Sequence, residues 1–200
     1  MTTADMLVEV TNFGDLAVLV PIAAVIFVWL FYLPPSRRDA GWWVIAVALC
    51  MGGTALLKVL FVMCPPAADL RSPSGHASLS TLVYGGLAVL MMTAAQSKWR
   101  YIAAGVGSVI VVLIAISRVA LHDHTWLEAL LGSAIGAVAL GTFGRKYAVS
   151  PRDHVSLRPL LLSVALLLIL LHGRTLHAES MLHAMSGYLK ETSGITCGLK

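Results

Sequence analysis

The chain has 200 residues, 58% of them apolar and only 12% charged. A soluble domain carries about twice that charged share, so this composition, with a mean hydropathy of +0.84, excludes an ordinary soluble domain. It predicts an all-α polytopic membrane protein forming a single domain over residues 1–200. The net charge of +4 does not point to a nucleic-acid partner, because most basic residues fall in short connections between apolar runs, where membrane orientation accounts for them.

Residues 1–14 are polar and acidic and read as an interfacial turn. Three acids and no Lys or Arg in the first fifteen positions argue against a cleavable signal peptide. Six apolar runs follow, at 15–33, 42–63, 77–95, 101–116, 126–143 and 155–171, each expected to cross a bilayer as a helix. Pro34 and Pro35 end the first by removing backbone donors. Trp42 and Trp43 open the second at an interfacial position. Residues 64–74 form a Pro-rich polar connection, and 96–100 a tight basic turn. Residues 117–124 are a second polar connection. In the fifth run, Gly132, Gly136 and the 139–141 segment are spaced to let helices approach closely. The connection at 144–158 is the most basic, and Arg158 can snorkel at the end of the sixth and shortest run. After His172, apolar residues recur at three- and four-residue spacing from Ala178 to Leu189, predicting an amphipathic surface helix over about 175–190. Cys50 falls inside a span and reads as a small core residue. Cys64 and Cys197 fall on one side of the membrane, either as a disulfide or as two thiols.

The loops fix an orientation. Arg37 and Arg38, then Lys98 and Arg100, then Arg145, Lys146, Arg152 and Arg158 occupy alternate connections. The positive-inside rule puts these in the cytoplasm and both termini on the opposite side of a bacterial-type inner membrane. Two polar stretches share that outer side. One is Arg71 to His76. The other runs from Ser117 to Glu128 and holds an arginine, two histidines and two carboxylates. Ionisable residues so concentrated in a membrane chain mark a functional site. If the chain is helical from about Thr125, His124 and Glu128 lie one turn apart on one face. A carboxylate there can hold an imidazole in one tautomer and stabilise its cation.

Three blocks in this sequence resemble the type 2 phosphatidic acid phosphatase superfamily of membrane lipid phosphatases. Pro73-Ser74-Gly75-His76 matches that family's central block in full. Ser117-Arg118, five residues and then His124 match its third block. Lys58 matches the lysine that opens its first. The resemblance covers roughly residues 42–144. Two positions depart from the pattern. Pro65 stands where the family has arginine, and Glu128 stands where it usually has aspartate. Arg71 is the residue able to supply the missing charge.

The resemblance implies a metal-independent phosphatase with no cofactor, acting on a lipid through a phosphohistidine. The residue chemistry fits it. Lys58, Arg71 and Arg118 are cations able to neutralise phosphate oxygens. Ser74 and Gly75 precede a helix whose N-terminal amides favour an anion. His124, oriented by Glu128, takes the part of nucleophile. His76 takes that of the acid that protonates the leaving oxygen and then activates water. Substrates of the implied class are undecaprenyl diphosphate, phosphatidate, phosphatidylglycerol phosphate or the phosphate of lipid A. Two alternatives stay open: a phosphotransferase that passes the phosphoryl group to a second lipid, and a protein that binds or transports lipid phosphate without turnover. His122 reads as a solvated neighbour, and the sequence sets no oligomeric state.

Overall fold

The computed structural model describes residues 2–32, 37–64, 66, 70–94, 99–150 and 156–176. The apolar runs fold into α1 (Thr3–Asn12), α2 (Leu16–Tyr32), α3 (Arg37–Met63), α4 (Gly75–Ala94), α5 (Trp99–Ala120), α6 (Trp126–Ala148) and α7 (Arg158–Leu171), with no strand among the described residues. Helices satisfy every backbone polar group internally, which hydrocarbon requires. Five segments are long and apolar enough to cross a membrane: Thr3–Tyr32, Arg37–Met63, Gly75–Ala94, Arg100–Ala120 and Trp126–Ala148. The expected sixth span corresponds to α7, which has only 14 residues. At about 1.5 Å per residue it falls short of a bilayer core roughly 30 Å thick. The expected tail helix from residue 177 on, and Cys197 beyond it, lie outside the described residues.

The N-terminal segment is helical, not an interfacial turn. Thr2 caps α1 through a capping box with Asp5, and the chain re-enters a helix at Leu16. The joint between α1 and α2 is tied to the bundle because Tyr84 of α4 donates its hydroxyl to the Phe13 carbonyl at 2.7 Å. The second expected span begins five residues early, at Arg37, which changes the place of its tryptophans. Trp43 sits nearly two turns inside α3 and is a core residue, not an interfacial one. Its indole N–H donates to the Ala23 carbonyl at 2.9 Å, and its ring meets Phe143 edge-on at 5.0 Å. Trp42 stays partly exposed, with the Lys146 ammonium over its ring at 5.0 Å. The large apolar side chains that remain exposed, such as Val109, Val138 and Leu162, suit contact with lipid.

The packing of α6 on α4 places the polar stretches. A Cβ on Gly132 would collide with the Ser74 carbonyl oxygen, and one on Gly136 with that of Ser78. These glycines let α6 lie directly on the first turns of α4, as their spacing predicts. Gly141 faces open space and takes no part. On the other side, α5 continues through Ser117 and Arg118, past the end expected of its apolar run at residue 116. It ends in a Schellman motif. His122 N–H bonds to the Val119 carbonyl and Asp123 N–H to that of Arg118, with His122 at φ 61°. This turn reverses the chain and delivers His124 to the start of α6.

Candidate active site

The site gathers where α2, α4 and α6 begin and where α3 and α5 end. Thr125 caps α6 in a capping box whose acidic partner is Glu128. That box already requires the Glu128 carboxylate to turn back over the helix end. His124 lies one residue before the cap, not inside the helix. Its Nδ1 is nevertheless 2.9 Å from Glu128 Oε2. The additional methylene of glutamate spans the gap, so the departure from aspartate leaves the histidine–carboxylate pair intact. Oε2 also accepts from Thr125 N–H at 3.1 Å, while Oε1 accepts from the backbone N–H of Arg71 at 2.8 Å and of Ser72 at 2.9 Å. Ser74 N–H donates to the Glu128 carbonyl at 3.0 Å. One glutamate thus clamps both polar stretches together through main-chain donors, although 56 residues separate it from Ser72.

Ser74 is fully buried and caps α4, its Oγ accepting from Ala77 N–H at 3.4 Å. Gly75, His76 and Lys58 line a cavity of about 150 Å³ together with Thr54 and Cys50. A Cβ on Gly75 would sit 3.9 Å from Lys58 Cε, ordinary contact, so the glycine leaves room in the cavity and is not demanded by packing. Lys58 is buried, although α3 ends only at Met63. This is a different situation from a lysine snorkelling to an interface. Arg118 is also buried. Its Nη1 pairs with Asp123 at 3.0 Å, and its buried Nε makes no hydrogen bond among the described residues. His122 is exposed, Asp123 faces Arg118 and His124 faces Glu128, so the three neighbours take separate directions.

Arg71 departs from the sequence reading in its means. Its side chain is exposed, and the contact that ties it to the site is its backbone N–H on Glu128. Pro65, where the family arginine is missing, lies outside the described residues. Asp15 was missed. Its Oδ2 is 3.5 Å from His76 Nε2, with the carboxylate almost wholly buried. A lone acid before an apolar run carries no pattern. Its one legible feature is that it falls at the same end of its span as every motif. Cys50 is free and buried, as expected, and Cys64 is disulfide-bonded.

The geometry joins in space the three blocks that the sequence holds apart. The model of the PAP2 superfamily matches residues 58–148. The resemblance read from the blocks holds over this PAP2-like segment, which runs from Lys58 through α6. The chain is also similar to a protein of Klebsiella pneumoniae described as an uncharacterized 22.5 kDa protein in the cps region. The two are 27% identical over 170 residues, covering 82% of this chain and 81% of the relative. No solved structure matches the chain. The PAP2-like segment, set among apolar helices, supports phosphatase chemistry on a lipid-type phosphate in a multi-pass membrane protein.

Proposed function

We propose that this protein hydrolyses a phosphate monoester or pyrophosphate on a membrane lipid through a phosphohistidine formed on His124. The carrying observation is the clamp on Glu128, which holds the His124 imidazole and the amides of Arg71 and Ser72 with one carboxylate. Nδ1 of His124 is committed to Glu128, so Nε2 is the nitrogen that attacks phosphorus. As the N–P bond forms and the P–O bond to the lipid breaks, His76 gives a proton to the leaving oxygen. Water then attacks the phosphohistidine, gives its proton to His76 and releases phosphate. The charge on the equatorial oxygens meets Lys58, Arg118 and the amide end of α4, with Arg71 at the exposed rim.

The surroundings of the cavity favour a lipid. A second cavity of about 220 Å³, lined by Val20, Phe27, Trp43 and Val47, adjoins it through the shared residues Met51 and Leu79. The polar head and the apolar tail of one substrate fit this pairing. The site lies at the end of the bundle remote from Arg37, Arg145 and Lys146; the positive-inside rule holds those residues in the cytoplasm and so turns the site to the periplasmic side of an inner membrane. A disulfide at Cys64 suits that oxidising side.

The test is phosphate release by purified protein in detergent from a panel of lipid phosphates and diphosphates, beside His124→Ala. We expect release by the wild type, an acid-labile phosphoryl adduct on trapping, and a loss of at least about 10³-fold in the variant. Transfer of labelled phosphoryl to an added lipid in place of water would replace hydrolase with phosphotransferase. No turnover of any lipid phosphate would leave a binding protein.

A further inference from the structure

We propose that Asp15, which lies outside the PAP2-like segment, is the positioning residue for His76: a carboxylate from the N-terminal part of the chain that fixes the ring and stabilises its cation. This rests on the function proposed above, in which His76 moves the proton of the leaving group.

The carboxylate is built in place. Asp15 starts α2, and its carbonyl receives the N–H of Val18 and Leu19. Its Oδ1 accepts from Ala17 N–H at 2.8 Å and from Leu176 N–H, beyond α7, at 3.0 Å. With Oδ1 so held, Oδ2 is the oxygen turned to His76 Nε2, 3.5 Å away. The approach depends on Gly14. A Cβ there would sit 2.6 Å from Ile114 Cγ2 and 3.5 Å from His76 Cβ, so a larger residue would push the joint off α4 and α5. Tyr84 fastens the same joint through the Phe13 carbonyl.

The consequence for His76 is a defined tautomer. A carboxylate accepts, so Nε2 carries the hydrogen and Nδ1 becomes the nitrogen that exchanges the proton in turnover. When P–O cleavage begins, the proton on Nδ1 of the imidazolium passes to the leaving oxygen and the ring becomes neutral. When water attacks, the proton returns to Nδ1. Throughout, Asp15 keeps Nε2–H and is not itself protonated. Each histidine of the site then has its own acid: Glu128 behind the nucleophile and Asp15 behind the proton carrier.

Asp15→Asn keeps an oxygen to accept from Ala17 N–H but removes the charge, and Asp15→Ser keeps a helix cap with a shorter side chain. Two readouts decide. In kinetics, a lipid phosphate monoester loses its lipid as a poor alkoxide and needs the proton, whereas 4-nitrophenyl phosphate loses a stable phenolate without it. We expect Asp15→Asn to lower kcat/KM about 30-fold or more for the lipid and less than about 3-fold for the aryl ester. Equal losses for both substrates, or none, overturn the proposal. The second readout needs no turnover. The ring ¹⁵N shifts of His76 should report the Nε2–H tautomer in the wild type and a mixture in both variants. Unchanged shifts overturn the proposal, whereas a shift change in a protein that turns over no phosphate upholds the Asp15–His76 pair and overturns only the hydrolase reading.

Discussion

Glu128 closes a helix and orients an imidazole with the same two oxygens, which sets what its substitutions will do. Glu128→Gln retains an acceptor for the amides of Arg71 and Ser72 but loses the charge facing His124. We expect folding close to wild type and turnover reduced by about 10²–10⁴-fold, read by phosphate release. Glu128→Ala also removes the capping box and leaves buried N–H groups unpaired, which costs about 1–3 kcal/mol, seen as a lower Tm in detergent. The comparison separates a chemical role from a structural one. The motif residues were legible in the sequence because their chemistry is carried by type and order: a Pro-Ser-Gly-His run, an arginine six residues before a histidine, a lysine near the end of a span. Main-chain contacts were not legible. Nothing in the side chain of Arg71 or Ser72 tells that its amide seeks a glutamate far along the chain, and the exposed guanidinium of Arg71 shows that its most definite contact is the least visible from its name.

At the scale of elements, the α4–α6 contact carries the site. Gly132 lies against the Ser74 backbone and Gly136 against that of Ser78, one turn deeper. Neither obstacle is the flexible end of a side chain, so neither can step aside. We expect Gly132→Ala and Gly136→Ala each to destabilise the fold by about 1–3 kcal/mol. Only Gly132→Ala should also depress turnover strongly, because it displaces the residue that caps α4 beside the cavity. Thermal melts paired with kinetics on the same preparations check both parts. The close approach was readable from spacing, whereas the helix ends were not. Apolar runs mark the hydrocarbon layer, but a helix continues past that layer as long as its backbone finds partners. Thus α3 starts five residues before the tryptophans were expected to open it, α5 carries Ser117 and Arg118, and α6 runs on through Arg145 and Lys146. The misplacement of Trp43 follows directly: an aromatic pair reads as an interfacial belt only if the helix begins with it.

At the scale of the molecule, the polar chemistry collects at one end of the bundle and the basic residues Arg37, Arg38, Arg145 and Lys146 at the other. The orientation proposed from that asymmetry has a direct check. Among the described residues Cys50 is buried and Cys64 is bonded, so labelling of a cysteine introduced at an exposed position, read against the unsubstituted protein, reports its own side. With an impermeant maleimide on intact cells, Arg71→Cys should be labelled and Arg37→Cys should not; the reverse pattern would turn the protein over in its membrane. The all-helical class, the apolar spans and the resemblance to the PAP2 superfamily over residues 58–148 were open to reading because composition and short blocks carry them. The N-terminal contribution was not, because it is a contact between distant parts of the chain. That contact has a bearing on biogenesis. Asp15 takes one of its two amide donors from Leu176, 161 residues later. A nascent chain inserts its helices one after another, so α1 to α6 can be in the bilayer while this tether is still inside the ribosome. The contact is finished only when Leu176 emerges and folds back to Asp15, and a product truncated just short of it would be an inserted membrane protein with a loosened Asp15–His76 pair.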